Sequence, residues 1–213
     1  MAQLRAGRLG RRLPQLVLGL VLYGVSLAMM LRSGLGLAPW DVFHQGLTRH
    51  LPLTIGQAVV AASFVVLLLW IPLREKPGVG TIANAVLVGV SVDATLLLLP
   101  APDGMVWRIV LLVAGVVGNA LATAMYIGAQ LGRGPRDGLM TGLARRTGRS
   151  LRLVRTALEV SVVVLGVLLG GTLGVGTVVY AFAIGPLSQR MLPAWLVAVD
   201  LSRAGATRRT PRR

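Results

Sequence analysis

Six apolar runs, each ended by glycine, proline or charge, divide the chain: Leu13–Leu31, Thr54–Leu73, Val79–Leu99, Ile109–Leu131, Leu153–Gly170 and Val175–Leu192. A bilayer core of roughly 30 Å takes about 20 apolar residues as a helix, so each run is long enough, or nearly so, to cross. REKPGVG joins runs two and three, and GGTLGVG joins runs five and six, which makes each pair a tight helical hairpin. Longer connectors follow runs one and four. In the first, Trp40, Phe43, Leu47 and Leu51 share one helical face, while Asp41, His44, Gln45 and Thr48 share the other. About three turns cannot cross a bilayer. The spacing therefore predicts a short amphipathic helix that either lies at the interface or re-enters the membrane.

The second connector repeats the first. One ungapped shift of 96 residues aligns the halves: Arg12 on Arg108, Gly36 on Gly132, Pro39 on Pro135, Asp41 on Asp137, Gly46-Leu47 on Gly142-Leu143 and Arg49 on Arg145. Gly78-Val79-Gly80-Thr81 falls on Gly174-Val175-Gly176-Thr177, Ala85 on Ala181 and Gly89 on Gly185. Pro39 and Pro135 suit a first helical turn, where the missing N–H is not needed. Asp41 and Asp137 then face the positive end of the helix dipole, and Thr54 and Ser150 can cap the next span. With three spans per copy, an odd number, the second copy enters the membrane from the opposite side. The predicted fold is an all-α integral membrane protein. It has six transmembrane helices as two inverted three-helix repeats, each with a short helix after its first span. The division is a basic N-terminus (1–12), repeat one (13–100), repeat two (105–195) and a basic tail (196–213).

Composition agrees with a membrane location. The 213 residues are 54% hydrophobic and 14% charged, and mean hydropathy is +0.74. The net charge of +15 comes from 22 Lys+Arg against 7 Asp+Glu. These basic residues cluster at the chain ends and in the second connector, beside apolar runs, which points to cytoplasmic anchoring and contact with anionic lipid and not to nucleic acid. Arg5, Arg8, Arg11 and Arg12 put the N-terminus inside. Six crossings then leave Arg74, Lys76, Arg133–Arg155 and the Arg203–Arg213 tail inside as well, as expected of a multi-pass protein of a bacterial plasma membrane. The start has the basic and apolar segments of a signal sequence, but no convincing cleavage site follows, so a retained first span is expected.

There is no cysteine, which excludes disulfides and thiolate chemistry. Two histidines are too few and too far from paired carboxylates for a metal site. No nucleophile and base stand at interpretable spacing, and no nucleotide fingerprint is present, so neither an enzyme nor a cofactor is expected. The candidate chemistry is a polar cluster for a small polar or anionic solute. Asp41, His44 and Asp93, with Arg32 or Arg49, form its outer part; Asp137, Thr141, Arg145, Gln189 and Arg190 form its inner part; Pro39 and Pro135 start the helices that carry it. Asp93 ends a face of small residues, Thr81, Ala85 and Gly89, and its plainer role is an ion pair with Arg32. Thr177, Ala181, Gly185 and Gln189 form the equivalent face of the last span, and both faces should meet other helices. Arg155 and Glu159 should pair within one helix, while Asn84 and Asn119 suit bonds between helices. A regulatory or scaffold role through the arginine-rich inner face is the alternative function. Size allows a homodimer, with no interface singled out.

The doubled G-x-[AG]-P-x-D with its following Gly-Leu, the Thr- or Ser-started span, and the GVGT opening of the third span resemble the YczE-type bacterial integral membrane proteins, in the wider YczE/YyaS/YitT group. The resemblance covers about residues 10–195. It implies a multi-spanning plasma-membrane protein and supplies no catalytic residue. The second copy has Arg133 and Arg136 where Leu37 and Trp40 stand in the first.

Overall fold

A computed structural model describes residues 7–199; Arg5 and the Arg203–Arg213 tail lie outside them. Among the described residues there are eight helices and no strand. They are α1 (Leu9–Ser33), α2 (Pro39–His50), α3 (Ile55–Leu73), α4 (Val79–Leu98), α5 (Met105–Gly128), α6 (Pro135–Thr147), α7 (Leu151–Leu168) and α8 (Val175–Trp195). Each helix of the first half begins 96 positions before its counterpart in the second.

Local chemistry sets these starts. The Thr54 hydroxyl accepts from Gln57 N at 3.1 Å, and the Gln57 side chain accepts from Thr54 N at 3.0 Å, a reciprocal cap on α3. Ser150 accepts from Leu153 N at 3.3 Å on α7. Pro39 and Pro135 each occupy the first turn of their short helix. Gly36 (φ 131°) and Gly132 (φ 144°) hold backbone conformations that side chains disfavour, and these turn the chain back after α1 and α5.

Six long helices were expected to span. Four of them, α1, α3, α4 and α5, are long and apolar enough to cross a membrane. α7 carries Arg152, Arg155 and Glu159, and α8 carries Ser188, Gln189 and Arg190, which dilutes their apolar character. The outer surface is strongly apolar: Leu97, Leu98, Leu168, Val175 and Phe182 are each at least 75% exposed. A surface of this kind belongs against lipid.

The centre of the bundle is α1 against α5, with α4 on α1 and α8 on α5. The short helices cross over: α2 packs on α7, and α6 packs on α3. Glycine permits this closeness. A Cβ at Gly166 would fall 2.6 Å from Phe43 N, and one at Gly46 would fall 2.8 Å from the Gly166 carbonyl. The GVGT motifs receive the opposite half's glycine turn. Gly80 N donates to the Leu131 carbonyl at 2.9 Å, and Gly176 N donates to the Leu35 carbonyl at 2.8 Å. The repeated glycine, proline and GVGT elements are thus two sides of one interface, built twice.

The basic residues at the short-helix ends serve the same crossing. Arg145 donates to the Leu73 carbonyl at 2.9 Å and Arg146 to that of Pro72, at the C-terminal end of α3. Their counterparts 96 residues earlier, Arg49 and His50, stand at the end of α7, where His50 lies 3.2 Å from the Leu169 carbonyl. Arg145 and Arg146 at these carbonyls complement the negative end of α3.

The two connectors lie at opposite ends of α1. One follows its C-terminus, and the other is held near its N-terminus by Arg12. Arg12, 1% exposed, donates to the Ala129 and Gln130 carbonyls at 2.8 Å each. Gln15 donates to the carbonyls of Met125 (2.9 Å) and Trp195 (2.7 Å), tying α8's end to the same place. Arg12→Met should leave these carbonyls without their charged donor and lower stability by about 2–3 kcal/mol, read as a reduced thermal midpoint of the purified protein. Its repeat counterpart Arg108 is exposed, so Arg108→Met should change the midpoint little.

Candidate functional site

The short helices start inside the bundle. Tyr23, in the middle of α1, lines cavities with Trp40 and Arg136, the second residues of α2 and α6. Trp40 joins an apolar cluster with Val66, Trp70 and Leu139, while the far end of α2, Arg49–Leu51, is exposed. The polar face of α2 therefore turns inward. Asp41 is 4% exposed and His44 is 6% exposed, so water at a surface is not what that face serves.

Two cavities flank this meeting point. The first, about 30 Å³, is lined among others by Asp41, His44, Ser63 and Asn84. The second, about 160 Å³, is lined among others by Asp137, Met140, Glu159 and Tyr180, which are the same four positions shifted by 96. Both include Tyr23, Trp40 and Arg136, which form the partition between them. A water needs about 10–15 Å³ measured this way. The first cavity has room for about two waters, and the second for a small solute.

Asp41 and Asp137 are held without a direct contact from an arginine. His44 Nδ1 lies 3.2 Å from Asp41 Oδ1. Tyr126 donates its hydroxyl to Asp137 Oδ2 at 2.5 Å. Arg136 donates to the Tyr23 hydroxyl, with its guanidinium 5.4 Å from that ring's centre. Arg136 shares the first cavity with Asp41 and the second with Asp137 and Tyr180. Tyr180 donates to Asn119 Oδ1 at 2.9 Å. The repeat shift carries Tyr23 onto Asn119 and Asn84 onto Tyr180, so phenol and amide change places between the halves. Trp70 Nε1 donates to the Pro135 carbonyl at 2.9 Å, fixing the start of α6. Trp40 Nε1 is buried with no partner.

The other candidates lie elsewhere. Asp93 does not join Asp41, and its acceptors are spent on the start of α3: Thr54 Oγ1 donates to it at 2.5 Å and Gly56 N at 2.8 Å. Arg32, expected beside it, donates to the Leu96 carbonyl at 2.5 Å. Thr141 accepts from Arg133 at 2.9 Å, and Arg145 pairs with Glu75 at 2.9 Å, both toward α3's end. Gln189 and Arg190 are exposed and line neither cavity. Arg155 and Glu159 do pair, at 2.8 Å, and they also line the second cavity.

Residues 10–193 match a family described as a family of unknown function, DUF6198. The uncharacterized membrane protein YczE of Bacillus subtilis is 33% identical over 189 residues, 88% of this chain and 86% of the relative. The chain belongs to this YczE-type family of membrane proteins. An uncharacterized protein of Haemophilus influenzae is 37% identical over 177 residues, 83% of this chain and 81% of the relative. The uncharacterized protein YyaS of Bacillus subtilis is 24% identical over 180 residues, 83% of this chain and 90% of the relative. No solved structure matches the chain. In this YczE-type chain the residues missed by sequence reasoning are Tyr23, Trp40, Tyr126, Arg136 and Tyr180. The readable signal was the polar-on-polar register of Tyr23 with Asn119 and Asn84 with Tyr180 inside apolar runs.

Proposed function

We propose that this protein binds a small polar solute between two inverted repeats and carries it across a bacterial plasma membrane by opening one repeat as the other closes. In this reading α7 and α8 complete six spans, the N- and C-termini are cytoplasmic, and α2 and α6 are re-entrant helices whose starts meet near mid-bilayer. Non-helical backbone at that depth is tolerated where it is buried in protein, and Leu37 and Ala38 before Pro39 and Leu131 before Pro135 are buried.

One observation carries the reading: the two cavities use equivalent positions, yet their outer walls differ. In the first half α3 and α4 are sealed. A Cβ on Gly89 would fall 2.5 Å from the Gly56 carbonyl and 2.6 Å from Val60 Cγ2, and Asp93 closes the end. In the second half α7 and α8 make almost no contact, nothing lies within 4 Å of Gly185's open side, and the larger cavity spans the gap. Ala181 and Gln189, expected on a packed face, are exposed there. Arg152 stands where Gly56 does, and Gly185 is followed by Pro186, which removes a backbone hydrogen bond from the middle of α8 and provides a hinge. A sealed repeat beside a splayed one is what two ends of an alternating cycle look like. Arg145 and Arg146 are engaged at the end of α3, which argues against their serving chiefly as a docking face.

The topology is tested by single cysteines at the exposed positions 51 and 149, since the chain has none of its own. A membrane-impermeant thiol reagent on intact cells should label Leu51→Cys and not Arg149→Cys. Labelling of both, or of neither until the cells are broken, overturns the inversion. Transport is tested by uptake of ethanolamine, ethylamine, glycine and glycolate into proteoliposomes. Absence of protein-dependent uptake for all four overturns this reading for solutes of that size.

A further inference from the structure

The C-terminal end of α3 carries more charge than the crossing of α6 needs. Two cavities open there, about 390 Å³ and 330 Å³, and Arg74 and Arg145 line both. Arg146 completes the basic wall of the first, and Lys76 and Arg133 that of the second. Against these five cations stands one carboxylate, Glu75, already paired with Arg145. Arginine keeps its charge in any protein environment, so the excess does not depend on a titrating group.

The other half of the repeat shows what the crossing alone requires. Under the 96-residue shift Arg74, Glu75 and Lys76 fall on Gly170, Gly171 and Thr172, and Arg133 falls on Leu37; Arg145 and Arg146 fall on Arg49 and His50. Arg74 ends α3 at φ 56°, a left-handed backbone that favours glycine, and Gly170 holds the same region at φ 85°. The arginine is thus held against its backbone preference. Among the described residues, neither its side chain nor that of Lys76 has a hydrogen bond or ion pair.

An independent observation is apolar. Val65, Leu68 and Pro72 stand three and four residues apart on one face of α3. Val65 and Leu68 are 58% and 63% exposed, and Pro72 lines the first cavity. A face of this kind on a helix apolar enough to span meets acyl chains, and its end meets headgroups. A soluble anion or an acidic peptide would use the cations and leave the apolar face idle; a phospholipid uses both.

We infer that the end of α3 is a binding site for an anionic phospholipid, its phosphate between Arg74 and Arg146 and its acyl chains along Leu68 and Val65. Arg145 and Arg146 are already held by the Leu73 and Pro72 carbonyls, which fixes their guanidinium groups in place and leaves further N–H groups for a phosphate. Arg74 follows α3 and Arg146 belongs to α6, so the bound phosphate ties the two helices together. The site stands apart from the solute cavities and does not rest on the transport reading.

Thermal midpoints of the purified full-length protein in detergent test this. Dioctanoyl phosphatidylglycerol supplies chains and an anionic headgroup, dioctanoyl phosphatidylcholine supplies chains and a zwitterionic one, and glycerol phosphate supplies the anion alone. The first should stabilise at about tenfold lower concentration than either of the others, the value of one charge-assisted hydrogen bond. Arg74→Gly should remove most of that difference while the lipid-free midpoint holds or rises, because glycine suits the left-handed turn. Arg149→Gln takes an equal charge from an exposed position outside both cavities and should keep the preference. Lys76→Gln should weaken it in the same direction as Arg74→Gly, so the test survives poor folding of the latter. Equal stabilisation by the two lipids, or an undiminished preference in Arg74→Gly, overturns the assignment. So does glycerol phosphate acting at the concentration of phosphatidylglycerol, which would mark a site for soluble phosphates. Equal losses in Arg74→Gly and Arg149→Gln overturn it as well, since they would mark a diffuse basic surface.

Discussion

Asp41→Asn is expected to reduce protein-dependent uptake of the transported probe into proteoliposomes by about a hundredfold or more, with the thermal midpoint of the purified protein little changed. The two effects part because the side chain's shape survives and its charge does not. Asn keeps a side-chain oxygen within reach of His44, whose contact with Asp41 is already long at 3.2 Å, so the fold loses little. It removes the charge, and a charge-assisted bond to a bound solute is worth roughly 1.5–3 kcal/mol, about one to two decades of affinity, before any effect on the moving step. Asp137→Asn should act likewise on uptake, but it also weakens the bond from Tyr126 and should cost some stability. An Asp41→Asn protein with normal uptake would remove Asp41 from the pathway. A parallel fall in stability and uptake would make its role structural.

Gly89→Leu and Gly185→Leu should separate packing from motion. The two glycines are equivalent under the repeat, and a sequence-only argument expects equal consequences. At Gly89 a side chain has nowhere to go, because the Gly56 carbonyl and Val60 already occupy the space. Overpacking of this kind costs about 1–3 kcal/mol, and splaying α3 from α4 also strips Asp93 from Thr54 and Gly56. The expected result is a lower midpoint and poor recovery of folded protein. At Gly185 the space is open, and leucine is a better helix former than glycine by up to about 1 kcal/mol. Stability should hold or rise. Uptake should nevertheless fall strongly, because α8 can no longer approach α7. Retained uptake in Gly185→Leu means the α7–α8 gap never closes, and the alternating cycle proposed for it fails.

These contrasts show where the sequence could be read and where it could not. The helix starts were legible because caps are local: Thr54, Ser150, Pro39 and Pro135 act within one turn of where they stand. The duplication was legible because glycine, proline and aspartate hold register when leucine and valine do not. Depth was not legible. In lipid the outward face is as apolar as the inward one, so the amphipathic pattern of Trp40–Leu51 does not say whether its polar side meets water or a cavity. Asp93 was misplaced for a related reason. It lies in the C-terminal half of α4, and its partners are a backbone N–H and a capping hydroxyl at the start of α3, groups that sequence patterns do not advertise. Gln189 and Arg190 followed it into the wrong neighbourhood through the repeat, since α8 stands apart from α7 where α4 does not stand apart from α3.

The crossed seating of the short helices sets an order for biogenesis. A ribosome that has released residue 100 has made α1 through α4 but not α7, on which α2 rests, nor α6, which packs on α3. Until then Gly46 lacks the Gly166 and Leu169 surface on which it packs. Neither short helix is fully seated until α7 has been made.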